Sequence, residues 1–167
     1  MTLYPKGEMI NADFPEPVHR KGTVDRVIVK LVEDEWELEG AIAVRMRVFV
    51  AEQSIPPEEE LDEADATATH AVALVQGQVV GTGRLLCRDD STAQIGRMAV
   101  EQPFRRRGIG GQILERLEEE ARAQGMRRCI LHAQQYVKSF YAAHGYKEHG
   151  DAFLEVNIPH IEMRKDL

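Results

Sequence analysis

Arg105-Arg106-Arg107-Gly108-Ile109-Gly110-Gly111 puts three guanidinium groups and three glycines directly before a segment of helical periodicity. From Gln112 to Gln124 the apolar residues Ile113, Leu114, Leu117 and Ala121 recur at helical spacing, and Gly125 supplies a stop. A helix start carries partial positive charge, so cations stacked on it cost stability unless an anion lies between them. Each glycine costs about 1 kcal/mol against alanine in a helical turn, a cost that fits a ligand approaching bare backbone. Phosphate oxygens taken by consecutive N–H groups are such a ligand. Upstream, Gln94 to Val100 (QIGRMAV) reads as a strand that Pro103 ends, so the order is strand, turn, helix. Neither a Walker Gly-Lys-Ser/Thr ending nor a G-x-G-x-x-G fingerprint is present, so triphosphate hydrolysis and dinucleotide redox chemistry lose support. The plain alternative, a glycine-rich turn with incidental surface arginines, leaves the conflict between arginines and helix dipole unanswered.

Arg105-x-x-Gly108-x-Gly110, after a strand and before an amphipathic helix, resembles the Q/R-x-x-G-x-G/A signature of the GNAT superfamily of acetyl-CoA-dependent N-acetyltransferases. Downstream, Cys129 to Ala133 (CILHA) reads as a strand. Gln134 to Tyr146 (QQYVKSFYAAHGY) then resembles the family's N-x-x-A-x-x-F-Y-x-x-x-G-F/Y segment, matching at Phe140, Tyr141, Gly145 and Tyr146, with Gln134 in the Asn place and Val137 in the Ala place. The resemblance spans about Asp25 to Met163. It implies acetyl-CoA as co-substrate and no metal. It also implies that backbone groups of Met98, Ala99 and Val100 hold the pantetheine arm and that Arg105, Arg106, Arg107, Gly108, Ile109, Gly110 and Gly111 take the pyrophosphate. Gln134, Lys138, Phe140 and Tyr141 of the second motif are further implied cofactor contacts. Arg45 to Ile55 (RMRVFVAEQSI) resembles the R-x-x-V-F-V-x-E-Q-x-x-P pattern of a little-characterised bacterial branch, through Arg45, Val48, Phe49, Val50, Glu52, Gln53 and Pro56. That match implies Phe49, Glu52 and Gln53 beside the acceptor pocket. The competing reading, with Phe49 and Val50 in the core and Glu52 and Gln53 as solvated cap groups, stands on equal footing.

The implied chemistry is attack of a neutral amine on a thioester with expulsion of a thiolate. A thiol titrates near pH 8.5 and a tyrosine near 10, about the values of the free groups, so a positioned tyrosine can protonate the leaving sulfur at neutral pH. Tyr141 is the candidate, because its adjacency to Phe140 on a helix turns one ring to the core and the other to a pocket. The acceptor ammonium must lose a proton to a base or a water chain. His132 before the second motif, and Glu155 and His160 in the last strand segment, Phe153 to Met163, are candidates, although a lone histidine on an apolar strand is more often a satisfied structural residue. His144 reads as a cation at a helix C-terminus. The expected function is acetyl transfer from acetyl-CoA to a primary amine of a small molecule or protein, by direct attack in a ternary complex. Two alternatives stay open: a non-catalytic acyl-CoA-binding sensor or interaction module, and a phosphate-ligand binder to which adenosine diphosphates would bind as well as CoA.

The elements that must position these residues follow from composition and pattern. With 167 residues, 43% of them hydrophobic, the chain is sized for one domain that buries roughly 70% of its unfolded surface. A net charge of -7 argues against nucleic acid or an anionic membrane as partner. No apolar run is long enough to span a bilayer and the N-terminus has no apolar signal core, which points to the cytoplasm. Cys87 and Cys129 sit in apolar strand-like runs without ligand spacing and are expected as buried free thiols. Residues 1–24 read as an extended arm and 25–167 as a single GNAT-like domain. Val24 to Leu31 reads as a strand. Asp34 then caps a helix through Trp36, Leu38, Ile42 and Met46 that runs to about Phe49. Ser54 to Asp65 reads as a proline-broken, solvated acidic loop whose charge would favour cationic amines if it lined a pocket. Ala68 to Val75 and Val79 to Leu86 are strands around a Gln76-Gly77-Gln78 turn. The expected architecture is α/β (α+β), a mixed, mainly antiparallel sheet flanked by helices, with a homodimer expected by family analogy.

Overall fold

Alternating apolar strands, punctuated by turn residues of positive φ, assemble one seven-stranded sheet in the computed structural model, which describes residues 26–167. The arm expected over residues 1–24 lies outside the described residues. The strands are β1 (Val27–Leu31), β2 (Thr69–Val75), β3 (Gln78–Cys87), β4 (Thr92–Val100), β5 (Arg128–Gln134), β6 (Lys147–Glu155) and β7 (Ile158–Asp166). Their order is β1-β2-β3-β4-β5-β7-β6, and every neighbouring pair is antiparallel except β4 with β5. The sheet is thus the mixed, mainly antiparallel one that the pattern implies. Gln76 and Gly77, at φ 51° and 79°, form the β2–β3 turn, the two-residue geometry that matches strand twist. Gln78 belongs to β3 and pairs with Val75. Val156 and Asn157 repeat the device at φ 50° and 60°. Phe153 to Met163 is therefore not one strand segment but the tip of the β6–β7 hairpin.

Helices cover both faces. On one, α3 (Ile109–Ala123) seats Ile113, Leu114, Leu117 and Ala121, all fully buried, against the sheet core. A Cβ on Gly83 of β3 would come within 2.8 Å of Leu117 Cδ1, so the bare backbone there sets how closely α3 lies. On the other face, α1 (Glu35–Arg45) packs Ala41 and Val44 on Val72, Leu74, Val79 and Ala99. Asp34 is its extended N-cap, and the Glu37 carboxylate accepts N–H bonds from Glu33 at 2.8 Å and Asp34 at 3.4 Å. Trp36 is 49% exposed, because the buried stripe runs through Glu37, Ala41, Val44 and Arg45. One expectation for this helix is corrected: it does not end at Phe49 but continues as a π-helical turn from Met46 to Glu52. The wider turn keeps Val48 in the core and carries Glu52 and Gln53 out over β4 and β5.

Shorter elements complete the described chain: α2 (Pro57–Glu60), 3-10 turns at Glu63–Ala66, Gln102–Phe104 and Gln135–Val137, and α4 (Lys138–Ala143). Cys129 is fully buried in β5, but Cys87, the last residue of β3, is exposed, with its thiol donating to Gln124 Oε1 at 3.2 Å. The strand outruns the cover of α3 there, which corrects the expectation of two buried thiols. Among the described residues, no helix is long and apolar enough to cross a membrane.

Candidate active site

The one parallel pair in the sheet opens it. β4 and β5 pair only through Thr92, Ala93 and Gln94 against Arg128, Cys129 and Ile130. Beyond that point β4 runs to Val100 and β5 to Gln134 with no register between them. A register shift between Thr82 and Arg84, opposite Arg97 at φ 53°, marks a bulge in β4 on the side of β3. Ile95 to Val100 consequently present one backbone edge with no strand neighbour, at the carboxyl end of a parallel pair where sheets of mixed topology take ligands. A cleft of about 900 Å³ fills the opening.

The start of α3 follows this end of β4, outside the cleft's lining, where a Cβ on Gly110 would lie 3.9 Å from Val100 Cγ2. Gly108, at φ 76°, is the N-cap and offers no side chain, and the first helical bond is Gln112 N–H to Gly108 O at 3.1 Å. The N–H groups of Gly108 to Gly111 therefore have no acceptor within the helix. That set of donors fits an anionic group of the pyrophosphate type. Two of the glycines also serve packing. A Cβ on Gly111 would lie 2.7 Å from His144 Nε2, and one on Gly110 would lie 3.4 Å from Phe140 Cζ. The arginine conflict is partly answered inside the protein. Arg105 donates Nε to Val100 O at 2.7 Å and Nη2 to Glu52 Oε2 at 2.8 Å, and Arg107 lies 5.4 Å over the Phe104 ring. Arg105 is thus a strut between the π-helical turn and β4 rather than a free cation; Arg106 and Arg107 remain exposed beside the helix start.

The cleft gathers residues that are far apart in sequence. Of the expected cofactor contacts, Met98, Ala99, Val100, Arg105, Gln134 and Tyr141 line it; Phe49, Glu52 and Gln53 line it from above, and His132, Glu155 and His160 from the β5–β7 side. Others lie outside its lining, among them Arg106, Arg107 and Gly108 to Gly111. Ile109 is in the core, Lys138 pairs with Glu148 at 3.0 Å, and Phe140 packs on Tyr141 and His144. Tyr141 is 8% exposed, and burial, with Tyr136 nearby, holds its hydroxyl above the ordinary tyrosine range. His132 Nδ1 is 3.1 Å from Glu155 Oε2. The hydrogen bond from His132 lowers the Glu155 pKa; an ionised carboxylate only accepts, so the proton in this contact sits on Nδ1. Glu162 Oε2 lies 3.9 Å from that Nε2, beyond hydrogen-bond distance. His160 Nδ1 donates to Ile158 O at 2.8 Å, and Phe153 sits between the two imidazoles.

The acidic segment, expected as a solvated loop, is pinned instead. Arg45, fully buried, donates Nε to Glu60 Oε1 at 2.6 Å, Nη2 to Glu60 O at 2.6 Å and Nη1 to Asp65 Oδ1 at 2.7 Å. Arg84 bonds Asp62 at 2.7 and 3.0 Å and Asp65 at 2.8 Å, while Arg97 donates to the carbonyls of Glu59 and Glu60, both at 3.2 Å. Arginine neighbours hold Asp62 and Asp65 below the usual carboxylate range against the opposing effect of burial, whereas burial leaves Glu60 raised. Arg84, Arg97 and Asp62 line the cleft, and no local spacing announces them, since the partners sit on α1, β3, β4 and the segment itself. Among the described residues, no three His, Cys, Asp or Glu side chains converge as a metal cage.

Known proteins place this arrangement. The Acetyltransferase (GNAT) domain family matches residues 32–167. An uncharacterized N-acetyltransferase of Bacillus subtilis, YjcF, is 37% identical over 137 residues, covering 81% of this chain and 97% of that protein. The structure of an acyl-CoA N-acyltransferase from Pseudomonas aeruginosa superposes with a TM-score of 0.76 at 29% identity, over 84% of this chain and 99% of that one. A GNAT family acetyltransferase from Elizabethkingia anophelis, solved with acetyl-CoA bound, shares the fold at a TM-score of 0.59 and 15% identity, over 86% of this chain and 99% of that one. The chain belongs to the GNAT acetyltransferase family.

Proposed function

We propose that the protein transfers an acetyl group from acetyl-CoA to a primary amine by direct attack within a ternary complex. The observation that carries this reading is the opened β4–β5 pair, which leaves Met98 to Val100 with a backbone edge that has no strand neighbour, a short way along the chain from the uncapped N–H groups of Gly108 to Gly111. An extended amide-bearing arm ending in a pyrophosphate has donors and acceptors matched to both, and its thioester supplies the acyl carbon. Tyr141 donates its hydroxyl proton to the leaving sulfur, the raised pKa keeping that proton in place at neutral pH. His132 Nε2 accepts the proton of the acceptor amine, Glu155 fixes its tautomer, and Glu162 stabilises the imidazolium formed. Atoms balance: the ammonium gives one proton to His132, the neutral amine nitrogen bonds the acyl carbon as the carbon–sulfur bond breaks, sulfur takes the Tyr141 proton, and the second nitrogen proton returns Tyr141 to its neutral form. Glu58 and Glu59, which line the cleft beside the arginine-paired carboxylates, support a cationic amine as acceptor.

The test follows free thiol released from acetyl-CoA against polyamines, aminoglycosides, amino acids and peptide N-termini. Amine-dependent thiol release on one class supports the enzyme. Tight acetyl-CoA binding without release on any amine would favour a binding module instead.

A further inference from the structure

Two adjacent side chains at the end of the π-helical turn bond to opposite walls of the cleft. Glu52 Oε2 accepts from Arg105 Nη2 at 2.8 Å, and the same guanidinium donates Nε to Val100 O, the last carbonyl of β4, at 2.7 Å. Gln53 Oε1 accepts from Gln134 Nε2 at 2.9 Å, at the last residue of β5, and Gln53 Nε2 donates to Tyr136 Oη at 3.1 Å. β4 and β5 have no register with each other at these ends, so the bridge through Glu52 and Gln53 ties the two strands where they are farthest from their own pairing. Both residues also line the cleft they span. A π-helical turn is rare and is often kept at functional positions; this one sets Glu52 and Gln53 over the opening.

We propose that Glu52 and Gln53 are positioning residues that form a crossbar over the donor slot, fixing the separation of its walls and retaining the pantetheine arm beneath. This deepens the acetyl-CoA reading and rests on it. The motif residues Glu52 and Gln53 therefore act on the donor rather than only on the acceptor amine. A group that lacks the arm and meets only the start of α3 does not pass under the crossbar and is indifferent to it.

The experiment measures release of acetyl-CoA by stopped-flow chase from the wild-type chain, from Glu52→Ala/Gln53→Ala, and from Tyr136→Phe, which removes one hydroxyl from an exposed ring. ADP serves as the armless probe, and thermal unfolding checks each fold. The double variant is expected to release acetyl-CoA about tenfold faster, a loss of about 1.4 kcal/mol, with Tyr136→Phe in between and ADP affinity unchanged. Release at the wild-type rate from a folded double variant overturns the crossbar while leaving the donor reading intact. An equal loss of ADP affinity also overturns it, because the residues would then act through Arg105 on the helix start. Absence of acetyl-CoA binding to the wild-type chain would remove the donor reading itself and the crossbar with it.

Discussion

Replacing Arg45 by methionine tests how the wall of the cleft is held. The guanidinium makes four hydrogen bonds of 2.6 to 3.1 Å to Glu60 and Asp65, and neither Arg45 nor Glu60 is more than 2% exposed. Removing one partner of a buried pair strands the other charge and costs about 3–5 kcal/mol. Arg84 remains 2.8 Å from Asp65 and Arg97 3.5 Å from Glu60, so the loss belongs at the lower end, about 3 kcal/mol. At about 2–4 °C per kcal/mol for a domain of this size, the melting temperature falls by about 6–12 °C. The deficit depends on pH. Burial already holds the Glu60 carboxyl above its ordinary pKa, and without Arg45 it rises further, so Glu60 destabilises the fold at neutral pH and ceases to do so when protonated. Asp65 is held low, so its contribution is present above the ordinary carboxylate range and is lost as pH falls through its folded value. The Glu60 effect narrows the gap between variant and wild type by pH 5, whereas the Asp65 loss sets in only below the ordinary carboxylate range. Urea unfolding at pH 7 and at pH 5, with the slope unchanged, reads the difference. Adding Glu60→Leu should recover part of the loss, because no uncompensated carboxylate then remains at that position. A loss below about 1 kcal/mol for Arg45→Met at pH 7 would refute the claim that this buried lattice carries the segment.

Other consequences are as direct. Gly110→Asp sets a carboxylate at the start of α3 and a Cβ 3.4 Å from Phe140; acetyl-CoA affinity by calorimetry should fall at least about tenfold, and unchanged affinity would contradict the assignment of the helix start. Tyr141→Phe should lower turnover by about a hundredfold with acetyl-CoA affinity kept, the usual scale for a lost general acid. Unchanged turnover would show that Tyr141 is a packing residue. Ellman titration should count one thiol, Cys87, in the native chain and two in denaturant, since burial shields Cys129 and pushes its pKa up to about 11; two fast-reacting thiols in the native chain would contradict the packing of β5.

The sequence exposed what local pattern encodes. The α3 stripe of Ile113, Leu114, Leu117 and Ala121 was readable because a helix against a sheet demands that period. The β2–β3 turn was readable through Gly77, whose positive φ a glycine takes without steric cost between two apolar runs. The glycines at 108 to 111 marked the helix start, although two of them also answer to His144 and Phe140, which spacing could not disclose. Long-range electrostatics were hidden. Nothing local distinguishes an acidic loop in water from one gripped by Arg45, Arg84 and Arg97, because those arginines lie 15 to 38 residues from their partners. The α1 face was not legible for a related reason. Its buried stripe includes Glu37 and Arg45, which are apolar in neither composition nor period and are buried only because Lys30, Glu60 and Asp65 pair with them. The crossbar through Glu52 and Gln53 depends on a π-helical turn that helix periodicity does not anticipate.

The most direct test compares acetyl-CoA with ADP on the wild-type chain by calorimetry. Acetyl-CoA should bind well over tenfold more tightly than ADP, because its arm alone can use the unpaired edge at Met98 to Val100. Equal affinity for the two, or binding of neither, would contradict an acyl-CoA site between β4 and β5.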